Sequence, residues 1–349
     1  MEKVLSKNNL KEFFEDLKGK YEIIGPSIKG GGTANYSYPT FASINQFEDL
    51  VLDYTTTMVS PKSIFFPNNQ ILYQYNKRTD GNVNVVDIED EWKNTKVIFG
   101  MHPCDINSLL YLDKVFLEGD FKNDRFQNKR KKSIIIGITC NKPHNSCFCN
   151  TFGSGPDIDK GYDLLLTDLG SSYFVSAATK KGRELLSAEY FGEATKVHKK
   201  KRDATLDKAK KALPRELDLE KIATNISNLN LDETLADFTG LCFTCGSCNM
   251  VCPTCHCFSI VEKTNPDHTQ GTRNLIWDSC HFEKFATIAG NVNVRPDVKS
   301  RFKHRVLDKF YYDVERYGNN FCIGCGRCLD FCPGHMSILD AALKIEEGK

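Results

Sequence analysis

Two copies of one cysteine run constrain this chain more than anything else in it: Cys242-x2-Cys245-x2-Cys248-x3-Cys252-Pro253 and Cys322-x2-Cys325-x2-Cys328-x3-Cys332-Pro333. In such a run three thiolates on a tight loop hold three corners of a 4Fe-4S cube, and the fourth reaches across to a second cube. The proline ends the loop and keeps the last cysteine out of regular helix. A single C-x2-C would say little, because zinc knuckles and redox dithiols share it. Two complete runs, each closed by Cys-Pro, predict two 4Fe-4S clusters. Cys242, Cys245, Cys248 and Cys332 would surround the first, and Cys322, Cys325, Cys328 and Cys252 the second. Structural zinc is the competing reading.

At 349 residues the chain has room for two domains. Its 46 basic and 45 acidic residues give no overall field that would draw nucleic acid or an anionic membrane. The N-terminal MEKVLSKNNLKEFFEDL reads as an amphipathic helix rather than a signal peptide, since no apolar run follows its charges. No stretch reaches the ~20 apolar residues that a membrane span needs. Fifteen cysteines without an export signal argue against a disulfide framework and for metal in a reducing, cytoplasmic and oxygen-poor setting.

Three segments are expected. Residues 1–195 form an α/β domain: the apolar bursts 96–100 and 133–139 read as buried parallel strands joined by a helix over 105–117, with Asp105 its N-cap. Further strands are predicted at 64–66, 71–75, 163–166 and 173–176, and a helix over 179–186. Residues 196–235 read as a basic helical linker, with Lys199, Lys200, Lys201, Arg202, Lys208, Lys210 and Lys211 on a solvated surface. Residues 236–349 form an α-helical ferredoxin-type domain. The long stretch 253–321 between its runs suggests helices, over 280–289 and 301–316, in place of a β-ribbon. A last helix is expected over 337–345.

Seven cysteines lie outside the runs. Cys104 and Cys140 each follow a predicted strand, so parallel pairing would bring both to the carboxyl edge of one sheet, where open α/β sheets place ligands. Cys147 and Cys149 follow in the same loop as Cys140. These four are a candidate third cluster, against the alternative of buried cysteines packing as small hydrophobes. Cys255, Cys257 and Cys280, with His256 and His281 beside them, are a further candidate metal site or a shell that tunes the nearest cube. Arg327, Asp330 and His335 are charged residues near the cubes. Gly30-Gly31-Gly32-Thr33 reads as a plain loop, because it lacks a G-x-G-x-x-G pattern. No nucleophile elbow, Walker run or HExxH is present, so no catalytic residue is assigned.

Phe99-Gly-Met-His-Pro-Cys104-Asp105, Cys140 with Cys147-Phe-Cys149, Gly155-Pro156, Cys252-Pro-Thr-Cys-His-Cys-Phe258, Trp277-Asp-Ser-Cys280 and the terminal run carry a resemblance. Together they resemble the family of the sulfhydrogenase β-subunit, which also includes the electron-transfer subunit of anaerobic sulfite reductase. The resemblance spans about Tyr21 to Leu339. It implies an electron-transfer subunit whose 4Fe-4S clusters connect a flavin-containing NAD(P)H or ferredoxin oxidoreductase subunit to a catalytic subunit, either a sirohaem sulfite reductase or a nickel–iron hydrogenase. It implies no substrate chemistry of the chain's own. His102 stands where hydrogenase-type members tend to have arginine, which leaves the branch open. The alternative class is a stand-alone flavin or metal redox enzyme with its active site in the α/β domain.

Overall fold

The apolar bursts become neighbouring strands of an eight-stranded sheet. The computed structural model describes residues 1–28, 38–88, 92–214 and 216–349, and Gly30-Gly31-Gly32-Thr33 lies outside them. The strands run β1 (Glu2–Ser6), β2 (Glu22–Ser27) and β3 (Thr40–Ser43), then β4 (Asn69–Lys77) and β5 (Val83–Asp87) of a second sheet. Next come β6 (Lys96–Met101), β7 (Ser133–Ile138), β8 (Leu164–Asp168), β9 (Ser172–Ala177) and β10 (Phe191–Glu193). The large sheet is ordered β10-β1-β9-β8-β7-β6-β2-β3. Its middle strands β2, β6, β7 and β8 are parallel, and antiparallel pairs extend it on both sides.

Alternation along the parallel strands feeds two cores. Val97, Phe99, Ile134 and Ile136 pack with Phe13, Phe14 and Leu17 of the helix Leu10–Lys18 on one face. Ile98, Met101, Ile135 and Leu165 pack with Ile106, Leu109 and Leu112 of the helix Pro103–Leu117 on the other. Helices on both faces explain why β7 is buried at every position.

The second sheet crosses the expected segment boundaries. Within the stretch between the cysteine runs, β11 (Phe258–Thr264) and β12 (Gln270–Trp277) form an antiparallel hairpin, and β12 pairs with β4 in the order β11-β12-β4-β5. The expectation that helices alone bridge the two runs is therefore corrected. Residues 280–289 are not a helix either, but a short 3-10 turn, Glu283–Ala286, followed by a two-residue strand. The other expected helix is present as Val298–Leu307, continued through a π turn to Tyr317.

Three N-terminal expectations change. The first residues form strand β1 between β9 and β10, and helix begins only at Leu10. Residues 62–65 are a single helical turn, not a strand, with Lys62 turned inward. Asp105 lies inside its helix, where His102 is the N-cap and Pro103 opens the first turn.

The basic helix Lys196–Lys211 is docked. It buries Leu206 and Ala209, and Arg202 pairs with Asp157 at 2.7 Å while lying 5.7 Å over the Phe174 ring. Beyond it, Ile222, Ile226, Leu231 and Leu235 join Phe302, Val306, Phe310 and Ile345 in a third core, beside both cysteine runs. Among the described residues no helix is long and apolar enough to cross a membrane.

Candidate metal centre

The two cysteine runs fold alike. In each, the residue before the second cysteine is left-handed (Thr244 φ 52°, Gly324 φ 62°), as is the residue after it (Gly246 φ 72°, Gly326 φ 75°). A one-turn helix follows, Ser247–Met250 or Arg327–Asp330. This winding turns successive cysteines to one side of the loop. The second run has glycine at both positions for an added reason. A Cβ on Gly324 would strike the Phe148 carbonyl, and one on Gly326 would lie 2.5 Å from the Ser146 carbonyl oxygen.

Cys242, Cys245 and Cys248 line one cavity together with Cys328 and Cys332, the last two cysteines of the other run. Phe302, Met336 and Ile338 give it apolar walls. Backbone N–H groups point at its sulfurs: Thr244 N–H donates to Cys242 Sγ at 3.4 Å, and Met336 N–H to Cys332 Sγ at 3.2 Å. His281 is buried against this cavity with its Nδ1 3.9 Å from Cys242 Sγ. Burial, then the Arg305 and Arg301 charges, hold its imidazole down at about 3, so the ring is neutral.

Cys252 of the first run joins Cys322, Cys325 and Cys328 of the second. Burial raises the Cys328 thiol, and Cys325, Cys322 and Cys252 lie close enough to oppose its ionisation. Cys322 is pushed up to about 12, chiefly by burial, with Cys252 and Cys325 adding to it. Cys252 thus lies with the second run and Cys332 with the first, while Cys328 reaches the first cavity as well.

Cys104 and Cys140 both lie at the carboxyl edge of the large sheet, because β6 and β7 are parallel neighbours. Cys147 and Cys149 come to the same place. Burial pushes Cys140, Cys147 and Cys149 up to about 12. Cys147 acts on Cys140, Cys149 on Cys147, Cys140 on Cys149, and Cys149 on Cys104. A Cβ on Gly155 would lie 3.0 Å from Cys149 Sγ, so glycine leaves room beside that sulfur. The loop is laid directly on the second run: Phe148 N–H donates to the Gly324 carbonyl at 2.8 Å, and Cys147 Sγ lies 3.6 Å from the Cys325 carbonyl oxygen.

Cys255, Cys257 and Cys280 are gathered beside the first two sets. The Cys255 thiol is hydrogen-bonded to Cys252, and Cys280 acts on Cys257. Asn249 donates to Cys280 Sγ at 3.0 Å. Among the described residues no three His, Cys, Asp or Glu side chains are grouped to hold a single metal ion.

Sequence reasoning missed the buried cations here. Lys62, Arg305 and Lys309 are each at most 3% exposed. Lys62 Nζ donates to the carbonyls of Cys252 at 2.7 Å and Cys255 at 2.8 Å. Burial pulls Lys62 down to about 8, which leaves it charged at neutral pH. A signal for two of them was available. Arg301, Arg305 and Lys309 recur at four-residue spacing beside Phe302, Val306 and Phe310, so one face of the helix is both apolar and cationic. Of the charges that were foreseen, Arg327 is neutralised by Asp105 at 2.8 Å, and Asp330 accepts from Ser146. Trp277 packs beside the second core, its Nε1 donating to the Phe66 carbonyl at 3.1 Å.

Residues 241–336 match the 4Fe-4S dicluster domain family. Over 342 residues the chain is 31% identical to the sulfhydrogenase 2 subunit beta of Pyrococcus furiosus, covering 97% of this chain and 96% of that protein. The chain belongs to the sulfhydrogenase β-subunit family. It is an iron–sulfur electron-transfer protein of the oxidoreductases. No solved structure matches it. The donor set suits the clusters this family implies: soft thiol ligands ring an apolar cavity with N–H donors aimed at sulfur.

Proposed function

We propose that this chain relays single electrons inside a multi-subunit oxidoreductase. It would take them from a flavin-containing NAD(P)H- or ferredoxin-oxidising subunit, then pass them to a catalytic subunit. A nickel–iron hydrogenase is favoured over a sirohaem sulfite reductase by the name of the Pyrococcus furiosus relative. The observation that carries this reading is the single cavity lined by Cys242, Cys245 and Cys248 of one run and Cys328 and Cys332 of the other, which joins the two runs. The first cube would be held by Cys242, Cys245, Cys248 and Cys332, the second by Cys252, Cys322, Cys325 and Cys328. A third, at the sheet edge, would be held by Cys104, Cys140, Cys147 and Cys149. All fifteen cysteines are free of disulfides, as ligands in a reducing cytoplasm should be.

Bound cubes supply one-electron chemistry at potentials set by charge, hydrogen bonds and burial. The chain's own residues do the rest. Thr244 and Met336 aim N–H groups at ligand sulfurs, which favours thiolate over thiol. Phe302, Met336 and Ile338 keep water from one side of the first site. The backbone bond from Phe148 to Gly324 fixes the third set against the second. Neither a nucleophile nor an acid–base pair is needed, and the chain acts as a wire.

Ligand replacement in the full chain, purified without oxygen, tests the shared-ligand arrangement. Cys332→Ser should perturb the same EPR signal as Cys242→Ser, although the two residues lie in different runs. A Cys332→Ser spectrum matching that of Cys322→Ser would contradict it.

A further inference from the structure

The protein interior holds cations for which the folded chain supplies too few anions. Lys62, Arg305 and Lys309 come from two distant parts of the sequence and turn toward one short stretch, Cys252 to Cys257, with Cys248 beside it. Lys62 Nζ donates to the carbonyls of Cys252 and Cys255 and stands 4.1 Å over the Trp277 ring. Lys309 Nζ donates to Thr254 Oγ1 at 3.3 Å. Arg305 donates to the Cys248 carbonyl at 3.4 Å and to Asn249 Oδ1, and its Nη1 is 3.9 Å from Cys255 Sγ. Among the described residues, the carboxylate ion-paired with any of the three is Asp308, 3.5 Å from Lys309, and the buried Asp313 is a second carboxylate acting on Lys309.

A buried cation without a partner costs several kcal/mol, and three in one shell also repel each other. Such an arrangement is stable around a buried anion. Their contacts converge on the stretch that starts at Cys252: Lys62 reaches the carbonyls of Cys252 and Cys255, Lys309 the Thr254 hydroxyl between them, and Arg305 approaches the Cys255 sulfur. Neither Lys62 nor Lys309 lines the first cavity, which faces the neutral His281 and shares Arg305 through the Cys248 carbonyl. The sheet-edge set lies beside Arg327, whose charge is cancelled by Asp105.

Four thiolates outweigh the charge of a cube's core, and one-electron reduction adds a further negative charge. Nearby cations therefore favour the reduced form. We propose that Lys62 and Lys309, with Arg305 shared between the two sites, make the cube of Cys252, Cys322, Cys325 and Cys328 the most easily reduced site in the chain, an electron store between the sheet-edge site and the first cavity. This rests on the cluster assignment above. Its chemistry is one electron entering the cube from a neighbouring reduced cube, which is oxidised in turn, with no proton required.

An EPR-monitored redox titration of the full chain tests it, after iron and sulfide analysis has shown that the clusters are present. Cys325→Ser identifies the signal of the second cube. In the unaltered protein that signal should have the highest midpoint potential. In Lys62→Met and Lys309→Met its midpoint should become more negative, so that its reduced-to-oxidised ratio at the original midpoint falls at least about tenfold, about 59 mV for one electron. The other signals should move much less, and Lys62→Arg should retain the original value. If the second cube has the lowest potential, or if loaded variants shift every signal alike or none, the proposal is wrong while the relay reading stands. If the unaltered protein holds no cluster, both fall. The ordering in unaltered protein decides the matter even where a variant fails to fold.

Discussion

The Arg327 guanidinium grips the Asp105 carboxylate with two parallel bonds, Nη1 to Oδ1 at 2.9 Å and Nη2 to Oδ2 at 2.8 Å, both side chains being fully buried. Arg327 opens the turn between the second and fourth cysteines of its run, and Asp105 directly follows Cys104. The pair therefore ties the sheet edge to the dicluster domain. Arg327 also donates to the Thr57 carbonyl and hydroxyl, and Ser60 donates to Asp105, so each polar edge of the pair is used.

Removing one partner should leave a buried charge. Asp105→Asn or Arg327→Met is expected to destabilise the chain by about 3–5 kcal/mol, read as a lowered denaturation midpoint. The double change Asp105→Leu with Arg327→Met should cost clearly less than the two single changes added together.

The packing of residues 146–149 on the second run requires a bare backbone at Gly324. Gly324→Ala combines a left-handed conformation with a clash against the Phe148 carbonyl, so it should separate the two loops and lower iron at both sites. Gly290 is also left-handed but faces open space. Gly290→Ala should cost only about 1–2 kcal/mol and leave the iron content unchanged.

Cys245 is exposed, whereas Cys322, Cys325 and Cys328 are half-buried. In protein stripped of iron by a chelator, brief treatment with iodoacetamide should modify Cys245 first, as read by peptide mass spectrometry. In loaded protein, measured exposure to air should erase the EPR signal of the first cavity before that of the second set.

His304 gives a pH dependence. Burial and then the Arg295 charge hold its imidazole below the ordinary range, so the folded chain favours the neutral ring. The unfolded chain binds the proton first as pH falls. The stability His304 contributes is complete above about pH 6.5 and is lost on acidification from there down through its lowered folded value. His304→Gln should flatten this part of the urea midpoint against pH.

The two cysteine runs, the parallel pairing behind Cys104 and Cys140, and the helices around them were legible because each rests on local spacing or period. The β11–β12 hairpin was not. Its strands are half-exposed, their alternation is interrupted by charge, and the strand β12 pairs with outside the hairpin, β4, lies about two hundred residues earlier. Lys62 was hidden for a related reason: the apolar Ile64–Phe66 reads as a strand, and only tertiary packing makes it one helical turn. The basic helix Lys196–Lys211 looked like a linker because most of its face is charged, and two small buried side chains suffice to dock it. Spacing shows which cysteines can share a cube. It does not show which distant cations will surround them.

Iron and acid-labile sulfide analysis with EPR on the anaerobically purified full chain tests the central claim most directly. Three cubes should give about twelve irons and as many sulfides per chain, falling to about eight in Cys147→Ser with Cys149→Ser. Stoichiometric zinc in place of iron, or iron without labile sulfide, would contradict the relay.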